Sequence, residues 1–137
     1  PIGMVTRTLT EKIRQLAQLF PVLTLTGPRQ SGKSTLVRSV FADLPYVLLE
    51  DPDVRLLAQT DPRGFLANYP DGAILDEVQR VPDLFSYLQG VIDAPGPRRP
   101  YVLTGSQNFL LMEHISQSLA GRTAVLRLLP FSYAELQ

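Results

Sequence analysis

The sequence predicts an α/β domain in which a mostly parallel, five-stranded sheet carries helices on both faces. Three observations lead there. Short, nearly all-apolar runs alternate with segments of helical periodicity, the pattern of strands covered on both sides. The first apolar run leads directly into a glycine-rich loop that opens a helix, and the third ends in two adjacent carboxylates. A chain of 137 residues, 45% hydrophobic and 19% charged, fits one ordinary folded domain with a real core.

Each element can be read in order. Thr8-Leu9-Thr10-Glu11 has the spacing of a helix capping box, so a first helix is expected to open there. Ile13, Leu16, Ala17 and Phe20 share its inner face, and Pro21 ends it. Val22–Thr26 is a short β-rich run that reads as the first strand. The helix from Lys33 turns Leu36, Val37, Val40 and Phe41 inward, and Tyr46–Leu49 is a second strand. Asp51-Pro52 and Asp61-Pro62 each offer an N-cap carboxylate followed by proline, predicting two short helices within 52–69. Asp71-Gly72 is a turn before a third strand, Ala73–Asp76. Pro82 is expected to start a helix with Leu84, Phe85, Leu88, Val91 and Ile92 inside, broken by Ala94-Pro95-Gly96-Pro97. Tyr101–Thr104, ended by Gly105, is a fourth strand. A helix over 109–119 and a fifth strand, Ala124–Leu129 closed by Pro130, complete the series.

Composition removes several classes of chemistry. With no cysteine there are no disulfides, thiolate metal sites or cysteine nucleophiles, and one histidine makes no histidine-rich metal site. No apolar run approaches the roughly 20 residues of a membrane helix, so a cytoplasmic protein with no membrane partner is expected. Net charge is zero but uneven: residues 1–42 carry six basic side chains against one acidic, residues 43–93 ten acidic against three basic. That split suits a phosphate site followed by a Mg²⁺ site, not a basic stripe tracking nucleic acid. Nucleic acid therefore stays open for a longer protein but is not indicated here.

Gly27-Pro28-Arg29-Gln30-Ser31-Gly32-Lys33-Ser34 matches G-x-x-x-x-G-K-[ST] residue for residue, between a strand and a helix. This is the phosphate loop of a three-layer P-loop NTPase fold. Gly27 and Gly32 permit backbone angles that side chains forbid, so the N–H groups of Gln30, Ser31, Gly32, Lys33 and their neighbours can point inward at phosphate. The helix dipole is aimed at the same point. Lys33 brings a full charge to the β- and γ-phosphates, Ser34 is placed to ligate Mg²⁺, and Thr35 can add a hydrogen bond. Arg29 either touches phosphate or is a solvated loop side chain.

In Ala73-Ile74-Leu75-Asp76-Glu77 the strand ends beside that loop. Asp76 can hold Mg²⁺ through a coordinated water, while strand alternation sends Glu77 another way, free to orient and polarise an attacking water. A kinase of this fold must keep water out, so Glu77 favours hydrolysis over transfer. At the end of the fourth strand, Thr104 or Ser106 is a candidate sensor of γ-phosphate or water; Ser106 and Asn108 are equally good helix caps. Gly121 reads as a helix C-cap, and Arg122 after it either reaches a γ-phosphate, its own or a neighbour's, or lies on the surface. His114 is expected to be a solvated helical side chain.

Gly-Pro-Arg-Gln-Ser-Gly-Lys-Ser at 27–34, Leu-Asp-Glu-Val-Gln at 75–79, Leu-Thr-Gly-Ser-Gln at 103–107, Leu-Ala-Gly-Arg at 119–122 and Leu-Pro-Phe-Ser-Tyr-Ala-Glu-Leu at 129–136 occur in this order. Together they resemble the AAA-type ATPase domain of a large family of prokaryotic ATP-binding proteins, over nearly the whole chain from about Arg14. The resemblance implies ATP and Mg²⁺ as ligands, phosphate contacts at Gly32, Lys33 and Ser34, Mg²⁺ at Asp76 and a water-orienting Glu77. It implies strand order 5-1-4-3-2, with the fourth strand between the first and third. It also implies a role for Arg122 at the nucleotide or an adjacent subunit, which leaves room for a homo-oligomer. Proteins of that family normally continue into a C-terminal region with a nuclease-like fold, so residues 1–137 are expected to be one P-loop NTPase domain at the N-terminal end of something longer.

Two functions from different classes share these residues: a Mg²⁺-dependent ATPase that drives movement of a missing domain or a partner, and a nucleotide-gated switch with negligible turnover. A small-molecule kinase would need basic residues over the phosphates, for which Arg98-Arg99 is the only candidate cluster.

Overall fold

The computed structural model describes residues 2–28, 32–95, 100–106 and 108–128. Along the chain run α1 (Ile2–Leu19), β1 (Val22–Thr26), α2 (Lys33–Val40), β2 (Tyr46–Leu48), α3 (Pro52–Thr60), α4 (Pro62–Ala67) and β3 (Ala73–Asp76). A 3₁₀ turn (Val78–Arg80), α5 (Leu84–Asp93), β4 (Tyr101–Gly105), α6 (Asn108–Ser118) and β5 (Thr123–Arg127) follow. The five strands form one sheet in the order β2-β3-β4-β1-β5, with every pairing parallel. Counted from the other edge, this is the 5-1-4-3-2 order expected.

Alternation along each strand sorts the core into two layers. Val22, Val47, Ala73, Leu75, Tyr101 and Leu103 face α3 to α6, where they meet Ala58, Phe65, Leu84, Leu88, Leu111 and Ile115. Leu23, Leu25, Ile74, Val102 and Ala124 face α1 and α2, packing on Ile13, Leu36, Val37 and Phe41. Strands covered on both faces must be apolar on both, which is why these runs lack polar alternation. The buried polar exceptions within the strands are Thr24, Thr26, Thr104 and Asp76, and the Thr24 hydroxyl is 3.0 Å from that of Thr123 on β5.

Asp51 and Asp61 cap α3 and α4, accepting from the N–H groups of Asp53 and Gly64 at 3.0 Å, with proline at the first helical position of each. Other boundaries differ from expectation. α1 begins at Ile2, so Thr8–Glu11 lie within the helix; its backbone ladder continues through them and leaves no free N–H groups for a capping box to satisfy. α5 starts at Leu84, because the 3₁₀ turn and the turn at Pro82 come first. β5 runs over 123–127, whereas Leu129 and Pro130 lie outside the described residues. Among the described residues no helix is long and apolar enough to cross a membrane.

Gly121 takes φ +79° in the turn from α6 to β5, with open space where a Cβ would stand. Gly121→Ala should therefore cost about 1 kcal/mol from backbone strain alone. Urea denaturation checks this; an unchanged midpoint would mean that the turn relaxes out of the left-handed region.

Candidate functional site

With β4 between β3 and β1, the carboxyl ends of three strands stand side by side, and the glycine-rich loop rises from the last of them. Gly27 is buried, and its N–H donates to the Gly105 carbonyl at 3.3 Å, tying the loop's root to the tip of β4. Gly32 takes φ +85° immediately before α2, a conformation that favours glycine. Gly27 is not among the glycines with positive φ; it continues from the strand, so the freedom expected of both glycines is used at Gly32. Gly32, the residue before α2, makes no side-chain capping bond, and a helix start of this kind aims its positive dipole end at an anion. Lys33 is 4% exposed and donates to the Pro28 carbonyl at 3.1 Å, across the loop. Thr35 is exposed. Arg29, Gln30 and Ser31 lie outside the described residues, as do Gly96, Pro97, Arg98, Arg99 and Gln107.

Asp76 is buried at the end of β3, on the face that carries α2. Three hydroxyls converge on it. Ser34 donates to Oδ2 at 2.7 Å, Tyr46 of β2 donates to the same oxygen, and Thr104 of β4 donates to Oδ1. Burial, reinforced by the hydrogen bond and charge of Asp76, pushes the Tyr46 hydroxyl well above its ordinary pKa, so it stays a donor. The Arg38 guanidinium, 4.3 Å from the centre of the Tyr46 ring, opposes that shift. The donor set at Ser34 and Asp76 is all oxygen, as Mg²⁺ prefers. Among the described residues no group of three or more His, Cys, Asp or Glu forms a protein cage. Mg²⁺ usually keeps several waters and shares phosphate oxygens, so one carboxylate and one hydroxyl fit it.

Glu77 does not continue the strand. It sits at φ 58°, ψ 44°, the left-handed region, which costs a non-glycine residue about 1–2 kcal/mol. Strand alternation, the expected cause, therefore does not set its direction; the left-handed backbone does. Its buried carboxylate accepts from Gln79 Nε2 and, at 3.1 Å, from Ser106 Oγ, both on Oε2. Ser106 is thus paired with Glu77, and Thr104 with Asp76. The two sensor candidates serve different carboxylates.

Arg122 is placed elsewhere. Its carbonyl accepts from the Val22 N–H at the start of β1, and its guanidinium grips Asp93 with two hydrogen bonds, 2.7 and 2.9 Å. That ion pair lowers the Asp93 pKa and raises that of Arg122. The length of β1, about 15 Å at 3.3 Å per residue, separates this edge of the sheet from the phosphate loop. Of the readings open for Arg122, this placement is that of a surface side chain at the start of β5, paired with Asp93. His114 is not freely solvated either: it is partly buried and stacks on Phe85, ring centres 5.2 Å apart. Tyr46 and Gln79 were not singled out in the sequence. Gln79 had a signal, a lone amide between Val78 and Val81 just after the paired carboxylates; Tyr46 had none without the β2–β3 register.

Residues 19–137 match the family model described as AAA domain. Two uncharacterized proteins, one of Mycobacterium tuberculosis and one of Mycobacterium bovis, are each 37% identical over 125 residues, covering 89% of this chain. The chain spans 28% of the length of these relatives. Among solved structures, the Walker-type ATPase PABY2304 of Pyrococcus abyssi superposes with a TM-score of 0.59 at 18% identity, over 88% of this chain and 51% of that one. At that identity the likeness is one of fold.

Arg122→Ala should leave the affinity of a dilute, single subunit for a fluorescent ATP analogue within about twofold, since the side chain stands about 15 Å from the loop. A titration showing a tenfold loss would contradict the placement.

Proposed function

The chain belongs to the family of AAA domains, and on that footing we propose that it binds ATP with Mg²⁺ and hydrolyses the bond between the β- and γ-phosphates. The observation that carries this reading is the division of two adjacent carboxylates. Asp76 is joined to Ser34 beside Lys33, and Glu77 is turned away from them by a left-handed backbone. One is suited to metal, the other to water.

In this reading the N–H groups at the start of α2 and the Lys33 ammonium hold the phosphates. Lys33 would exchange its bond to the Pro28 carbonyl for phosphate oxygens. Ser34 and Asp76 would hold Mg²⁺, with Tyr46 and Thr104 keeping the carboxylate in place once the Ser34 oxygen turns to the metal. Bound Mg²⁺ supplies charge neutralisation at the phosphate oxygens. Glu77 accepts a hydrogen bond from the attacking water and takes its proton as the new oxygen–phosphorus bond forms and the bond to the β-phosphate oxygen breaks. ADP and phosphate leave. Arg122 has a role only toward a neighbouring subunit, which would require it to release Asp93.

We further read the domain as the ATP-driven part of a longer protein, located in the cytoplasm, whose hydrolysis moves an attached domain or partner. The 28% share of its relatives' length supports that view.

Glu77→Gln should lower Mg²⁺-dependent phosphate release by about 10²-fold or more, the range for loss of a general base, with nucleotide affinity kept. Phosphate release measured alongside binding tests this. Unchanged turnover would remove Glu77 from the chemistry. Tight binding with no turnover in the wild type would favour the nucleotide-gated switch.

A further inference from the structure

Gln79 is a polar side chain in an apolar place. It lies on the 3₁₀ turn, 8% exposed, with Val78 and Val81 buried on either side. Its Nε2 donates to Glu77, while its Oε1 is buried without a hydrogen-bond partner among the described residues. A buried amide with an unsatisfied oxygen carries a desolvation penalty that leucine or methionine of similar size would avoid. Packing therefore does not account for glutamine here. Nor can the amide be reversed, because that would set its oxygen against a carboxylate.

The tip of β4 is shaped around this amide. A Cβ on Gly105 would stand 2.6 Å from Gln79 Oε1 and 2.8 Å from Leu111 Cδ2. Gly105 is not among the glycines with positive φ, so its lack of a side chain serves the neighbour rather than the backbone. Both described hydrogen bonds to the Glu77 carboxylate fall on Oε2.

We propose that Gln79 is a positioning residue for hydrolysis: its amide, seated over Gly105, holds Glu77 by Oε2 and leaves Oε1 to accept from the attacking water. This deepens the hydrolytic reading and rests on it. A glutamate side chain has three rotatable bonds, and the left-handed backbone directs only the first part of it. Two donors on one oxygen fix the rest, and orientation of this kind is a large share of what a site contributes to a reaction.

Variants at Gln79 and Gly105 test this in the intact protein, read by turnover, nucleotide affinity and thermal midpoint. Gln79→Leu should lower kcat on the order of tenfold while affinity for a fluorescent ATP analogue stays within about twofold. Gly105→Ala, which displaces the amide without changing its chemistry, should act in the same direction. Thermal midpoints supply a readout independent of turnover. Gln79→Leu should lower Tm in the wild type, where Glu77 loses a donor, and raise it in a Glu77→Ala background, where the amide has nothing to hold. Equal Tm shifts in both backgrounds, or turnover unchanged or increased by Gln79→Leu, would overturn the assignment and leave the hydrolytic reading standing. A wild type without turnover, but with the opposed Tm shifts, would remove the hydrolytic reading and the assignment with it, leaving only the contact.

Discussion

A carboxylate buried at the end of a strand must find donors, and Asp76 draws them from three other parts of the fold. Ser34 comes from the first turn of α2, Tyr46 from β2 and Thr104 from β4. Each can reach only because the strand order puts β3 between β2 and β4, with β1 and its loop one strand farther along. The crossing order of the sheet and the satisfaction of one buried charge are thus a single constraint. Leaving that charge short of donors would be costly in a low-dielectric interior. The Asp76 carboxylate and the Ser34 hydroxyl thus stand together as oxygen donors, beside the buried Lys33.

The next residue solves a different problem. Were Glu77 to continue β3, its side chain would point to the opposite face of the sheet, into the apolar layer formed by Leu75, Leu103 and Leu111. The left-handed turn at Glu77 avoids this and starts the 3₁₀ segment that brings Gln79 back toward it. Local strain of about 1–2 kcal/mol is offset by two hydrogen bonds to a buried carboxylate. A left-handed backbone at a residue other than glycine or asparagine is the observation that motivates the role proposed for Glu77.

Much of the fold was legible because its signals are local. Aspartate before proline marks the starts of α3 and α4 whatever the rest of the chain does, and the glycine-rich loop announces both the strand before it and the helix after it. The strand order came from resemblance, since no residue pattern in one strand names its neighbour. What the sequence obscured depends on long-range placement. Arg122 follows a helix cap, but only the pairing of Val22 with Thr123 shows that it stands at the amino ends of the strands, away from the loop that follows Thr26, held by Asp93. Tyr46 is thirty residues from Asp76 in the chain and meets it only through the β2–β3 register. The start of α1 was misplaced for the opposite reason: a local capping pattern was present, but a longer helix overrode it.

On the proposed reading, the loop after β1 and the end of β3 make one Mg²⁺-dependent nucleotide site. Titrating a fluorescent ATP analogue into the protein, with and without Mg²⁺ and alongside Lys33→Ala, tests it most directly. Binding is expected to saturate, to strengthen with Mg²⁺ and to be lost when Lys33 is replaced. Binding indifferent to both Mg²⁺ and Lys33 would contradict it.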